Sequence, residues 1–140
     1  MIKNIFLAAI SALLFSVSWP TYGVPFFVFF SFVPLLLMEQ NISKFSNIKR
    51  KGLTVFALSY FAFIVWSIVT TGWLYYAKNP DGSNAIFAVV FPVVVNSLLM
   101  STAFQLYHWY KKVRGTYFGL VFFVAIWLSF ERFHLSWEFT

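Results

Sequence analysis

Five long apolar runs, separated by short polar, basic or turn-rich stretches, organise the chain. The first, "NIFLAAISALLFSVSW", predicts a helix over 4–19. A second, over 24–38, follows the turn "SWPTYGVP", whose prolines, glycine and aromatic rings suit a bend at headgroup level. A third covers 52–77, a fourth 84–110 and a fifth 115–131. At about 1.5 Å of rise per residue the third and fourth are long enough to cross a ~30 Å hydrocarbon layer with tilt. The first two are short, so they are expected to pair as a compact hairpin. Pro34 and Pro92 fall inside the second and fourth runs, where each removes a helical hydrogen bond and predicts a kink. The runs are continuously apolar and lack the alternation of a membrane β-barrel. The expected fold is therefore all-α, a polytopic transmembrane bundle of about five helices forming one region over residues 1–140.

A cleavable signal peptide is the rival reading of the first run. Lys3, the apolar stretch and the small residues Ser16 and Ser18 fit one. A single lysine makes a thin positive region, and Trp19-Pro20 is an awkward mature start, so an uncleaved helix is expected.

Composition changes the picture by excluding water as the main solvent. Hydrophobic residues make up 61% of the chain and charged residues 10%, against roughly half and a quarter in soluble domains. A soluble globule of this composition would leave much of its surface apolar. The net charge of +6 does not point to nucleic acid, because the basic residues sit in short clusters between the apolar runs. Lys3, the cluster Lys44, Lys49, Arg50 and Lys51, and the cluster Lys111, Lys112 and Arg114 all fall on one side of a five-span topology. Only Lys78 and Arg132 fall on the other. By the positive-inside rule the N-terminus is expected in the cytoplasm and the C-terminus on the outer, periplasmic side of a bacterial inner membrane.

Candidate chemistry is sparse. The chain has no cysteine, which removes disulfides, thiolate metal sites and any thiol nucleophile. The four acidic residues, at positions 39, 81, 131 and 138, do not suggest an intramembrane relay, and no phosphate loop, nucleophile elbow, dinucleotide fingerprint or zinc signature is present. No catalytic residue, metal ligand or cofactor is expected. Glu131 is the most informative charge, since a carboxylate at the end of a span must be hydrated, paired or turned toward protein. It either orients a substrate headgroup or partner domain, or marks the end and depth of the fifth helix. His134 lies three residues on and shares its face if the helix continues, whereas Arg132 points about 100° away. In "GWLYY", 72–76, Trp73, Tyr75 and Tyr76 read as an interfacial aromatic belt or as a wall beside an outward-facing lipid site. Ser97, Ser101, Gln105 and His108 share a face of the fourth helix and suit helix–helix contact, with no metal partner evident for His108.

The ordered set "SWPTYGVPFFVFFSFVPLLL", "GWLYY" and "AIWLSFERFHLSWEFT" resembles the N-terminal membrane portion of bacterial apolipoprotein N-acyltransferase over essentially the whole chain. The resemblance implies anchoring and lipid-access roles in lipoprotein biosynthesis, with Trp73, Tyr75 and Glu131 toward the substrate entrance. It implies a phospholipid acyl donor and a diacylglyceryl lipoprotein acceptor. The family usually places an arginine where this chain has His134, so a permanent positive charge is not expected there. The family motif then runs into a Trp/Phe-Pro-Trp sequence, and Thr140 falls just before that point. The chain thus reads as truncated before the nitrilase-like domain whose Glu-Lys-Cys triad performs acyl transfer, and it is expected to be inactive alone. Two other classes remain open from the pattern, a small membrane structural or assembly subunit and a transporter component.

Overall fold

The computed structural model describes the chain except residues 20–22, 46, 79–81, 83–85 and 138–140, together with the side chains of 45 and 134–137. The turn residues at 20–22, 79–81 and 83, and Glu138, therefore lie outside the described residues, as does the His134 side chain. Five α-helices follow one another: α1, Ile2–Val17; α2, Val28–Phe45; α3, Lys51–Thr71; α4, Ile86–Arg114; and α5, Thr116–Trp137. Short 3₁₀ segments, Pro25–Phe27 and Gly72–Tyr76, lead into α2 and out of α3. The stretches Pro25–Lys44, Lys51–Tyr76, Ile86–Arg114 and Thr116–Phe133 are long and apolar enough to cross a membrane. α1 is apolar but has only 16 residues, about 24 Å of rise.

Local sequence explains the helix limits. Pro25 occupies the first position of its 3₁₀ turn, where no amide donor is needed. Pro34 and Pro92 lie inside α2 and α4, and both helices continue through them. α2 extends past its apolar run to Phe45, because residues 35–45 contain neither proline nor glycine. The polar stretch 39–52 reads in sequence as a loop, with or without an interfacial helical turn, and Glu39 is instead a residue of α2. α4 and α5 are joined by Gly115 alone, in the left-handed region at φ 86°, where its N–H closes onto the Lys111 carbonyl at 2.9 Å. One turn into α5, a side chain at Gly119 would meet Lys111 Cβ at 2.8 Å. Glycine at that position lets α5 pass close to Lys111 and holds that end of α4 in place.

α3 is central, packed on α1 and α4, while α1 also packs on α2 and α4 on α5. α1 offers one face to the interior, Asn4, Ala8, Ser11, Ala12 and Phe15, at helical spacing. Its alanines and serine let backbones approach, and Ser11 Oγ donates to the Ser31 carbonyl of α2. Removing α1 would open the core where Ala8, Ala12 and Phe15 are almost wholly buried. Across the centre runs a chain of aromatic rings. Phe15 meets Phe32 edge-on at 4.8 Å and stacks on Trp66 at 5.0 Å. Phe32 contacts Trp127 at 4.5 Å and Phe123 at 5.2 Å, so α2 and α5 meet through their rings. On α4, Ser97, Ser101, Gln105 and His108 are all buried. Ser97 Oγ bonds Ser67 Oγ of α3 at 3.0 Å, fixing the depth of these two helices against each other. Large apolar side chains such as Phe87, Phe118 and Val121 are exposed, as expected where lipid tails are the solvent.

Candidate functional site

Among the described residues, a cavity opens at each end of the bundle. At the end where α3 and α5 finish, a cavity of about 440 Å³ is lined by residues including Trp19, Trp66, Thr70, Asn96, Met100 and Glu131. Its wall mixes rings with small polar groups, a combination suited to an apolar ligand carrying a few oxygen atoms. Part of its polar lining is already engaged. Thr70 Oγ1 donates to the Trp66 carbonyl at 3.0 Å, and Ser67 is tied to Ser97. Trp66 differs: its indole Nε1–H is buried and has no hydrogen-bond partner among the described residues. Such a donor, shielded from water, is costly unless an acceptor reaches it. At the rim, Trp127 Nε1 donates to Glu131 Oε1 at 2.8 Å. That bond orients the carboxylate one helical turn beyond the aromatic core.

The opposite end carries an ionic cluster. Glu39 of α2 is almost wholly buried, yet its carboxylate has three side-chain donors. Ser43 Oγ donates to Oε1 at 2.7 Å. His108 Nδ1 is 2.8 Å from the same oxygen, and because an ionised carboxylate only accepts, Nδ1 carries the proton. Lys111 Nζ pairs with Oε2 and also lies 5.7 Å from the centre of the Tyr107 ring. His108 and Lys111 are three residues apart on α4, so one face of that helix presents both to α2. The neighbouring turn is pinned as well. Gln105, with its amide oriented to satisfy both neighbours, donates to the Gly52 carbonyl and accepts from Trp109 Nε1, each at 3.0 Å. Lys51 Nζ donates to the Ser43 carbonyl at 2.8 Å. Beside the cluster opens a second cavity of about 580 Å³, with Lys49, Arg50 and Lys112 on its lining.

Of the residues singled out in sequence, Glu131 lines the first cavity. Trp73 and Tyr75 do not line it; both are exposed on the 3₁₀ segment that follows α3. Arg132 is exposed and helical beside Glu131. Trp66 and the Glu39–His108–Lys111 cluster are what sequence reasoning missed. Spacing signalled the α4 half of the cluster, since His108 and Lys111 are three residues apart. Nothing in spacing joined them to an acid some seventy positions earlier. No group of three or more His, Asp or Glu residues placed to hold a metal is found among the described residues.

Fold and cavities together define a helical integral membrane protein, with one polar-aromatic cavity at one end and a buried ionic clasp at the other. The family model for the apolipoprotein N-acyltransferase N-terminal domain matches residues 11–140, and the chain belongs to that family. No curated protein and no solved structure matches it.

Proposed function

We propose that this chain is the membrane-embedded N-terminal part of an apolipoprotein N-acyltransferase, anchoring the enzyme and admitting two-tailed lipid substrates. The reaction moves an acyl chain from a phospholipid to the α-amino group of a diacylglyceryl-cysteine. Carrying the acyl group as a thioester requires a thiolate, and these 140 residues contain no cysteine, so the chemistry belongs to another segment. The observation that carries a lipid-access role is the Trp66 donor, without a partner among the described residues, on the wall of the polar-aromatic cavity. A turn of the Trp66 ring toward the cavity would bring that donor to a lipid ester carbonyl, and the rings around it accommodate an acyl chain. Glu131, held by Trp127, presents its carboxylate to a headgroup ammonium or hydroxyl at the cavity rim. Exposed Trp73 and Tyr75 sit as interfacial rings near the approach to that end.

A phospholipid bearing a photoactivatable group next to its ester should label the cavity residues Trp66, Asn96 and Met100 in the reconstituted chain. Trp66→Phe should lower that yield by about fivefold, the worth of one hydrogen bond. Labelling confined to lipid-facing positions such as Val121, Val124 and Leu128 would overturn the reading.

The proposed orientation puts the basic end, with Lys49 and Lys112, in the cytoplasm of a bacterial inner membrane. Its support is the asymmetry of basic residues between the two ends. The absence of native cysteine makes single-cysteine labelling clean. Tyr76→Cys should react with an impermeant maleimide added outside intact spheroplasts, and Lys49→Cys only after lysis. The reverse pattern inverts the topology.

A further inference from the structure

The cavity at the basic end has a charge imbalance that the fold does not need. Five basic side chains, Lys49, Arg50, Lys51, Lys111 and Lys112, line it, and Glu39 is the single carboxylate among its lining residues. That carboxylate is already engaged by Ser43, His108 and Lys111. Lys51 is tied to the Ser43 carbonyl. Lys49, Arg50 and Lys112 make no ion pair among the described residues, although they come from two separate places, the α2–α3 connection and the last turn of α4. Gathering like charges around one hollow is unfavourable unless an anion sits among them. The first turn of α3 opens onto the same space at Lys51 and Gly52, and its N-cap, Arg50, supplies no side-chain cap, so the positive end of that helix adds to the field.

We propose that this cavity binds the phosphate of an anionic glycerophospholipid in the leaflet at the basic end of the bundle. A phosphodiester fits the unpaired cations, and the Thr116 hydroxyl on the lining offers a neutral donor. The lipid source, as against a free phosphate, follows from what adjoins the cavity. Trp109 on its wall is 57% exposed, with its Nε1 already held by Gln105, and Leu106, one turn nearer the bilayer centre on α4, is exposed as well. Acyl chains descending from a bound headgroup would lie along these apolar side chains, which a free ion leaves bare. Basic hollows between membrane helices recognise acidic headgroups in this way. The assignment is independent of the acyl-transfer reading, since it involves neither the Trp66 cavity nor Glu131.

Native mass spectrometry of the delipidated full chain tests it, with phosphatidylglycerol and phosphatidylcholine of matched acyl chains as probes. The wild-type chain should retain one phosphatidylglycerol with about tenfold preference or more. The triple variant Lys49→Gln/Arg50→Gln/Lys112→Gln should lose that preference. The pair Lys44→Gln/Arg114→Gln, basic residues at the same end that do not line the cavity, should keep it. On the unmodified chain, phosphatidylglycerol should protect Lys49 and Lys112 from amine acetylation while Lys44 stays reactive. Equal retention of both lipids, an unchanged triple variant, or an equal loss in the control pair would overturn the site. Full displacement by inorganic phosphate at equal concentration would overturn the lipid as its source.

Discussion

Replacing Glu39 with alanine is expected to destabilise the bundle by about 3–5 kcal/mol, the usual cost of leaving buried charges without their partner. Glu39 has 1% of its side chain exposed and faces Lys111, itself mostly buried, and His108. Removing the carboxylate strands the ammonium between α2 and α4 and orphans the imidazole N–H. The triple change Glu39→Leu/His108→Leu/Lys111→Met separates the two parts of that cost. It removes all three charged or polar groups together and should recover most of the lost stability, because an apolar replacement of a buried ion cluster is often neutral. Equilibrium unfolding in mixed micelles, followed by circular dichroism, measures both. A Glu39→Ala variant within about 0.5 kcal/mol of wild type, the usual range for surface changes, would show that the clasp contributes nothing.

The second large effect is expected at Phe15. Its ring packs on Phe32, Phe63 and Trp66, with centroid distances of 4.8, 5.9 and 5.0 Å, and it is 1% exposed. In water Phe→Ala costs about 3–5 kcal/mol, part of it from moving the ring out of solvent. Here the separated helices remain in hydrocarbon, so that part vanishes and lost packing remains. Three aromatic contacts at about 0.5–1.5 kcal/mol each suggest a loss of about 1.5–4.5 kcal/mol for Phe15→Ala. Phe118→Ala, at a 59% exposed position, should be nearly silent. The same unfolding assay decides it. Equal losses at Phe15 and Phe118 would mean that burial inside the bundle differs little from burial in lipid.

The architecture was legible in the sequence because its signal is one-dimensional. Apolar runs separated by polar breaks predict helices whatever their partners, and the stripe Ser97–Ser101–Gln105–His108 could be read as an interface from spacing alone. Glu39 was not legible for the opposite reason. It stands first in a polar stretch, "EQNISKFSNIKRKG", which reads as a loop until the helix is seen to run on to Phe45. Its partners then depend on how α2 and α4 are placed across the bundle, which no local pattern encodes. Glu131 was visible as a charge ending a greasy run, but its bond to Trp127 is a local pair that the reading passed over in favour of His134. Trp66 carried no signal at all, because a missing hydrogen bond is a property of its surroundings and not of its residue type.

The ring contacts between α2 and α5 have a mechanical consequence. Parting α3 from α4 would break the Ser67–Ser97 bond and strip a closely packed helix pair. Parting α2 from α5 would turn aside Phe32, Phe123 and Trp127. At about 0.5–1.5 kcal/mol per ring pair, that seam is held more lightly than the α3–α4 pair. Swinging aromatic side chains, with the helical backbones left whole, would act there as the latch.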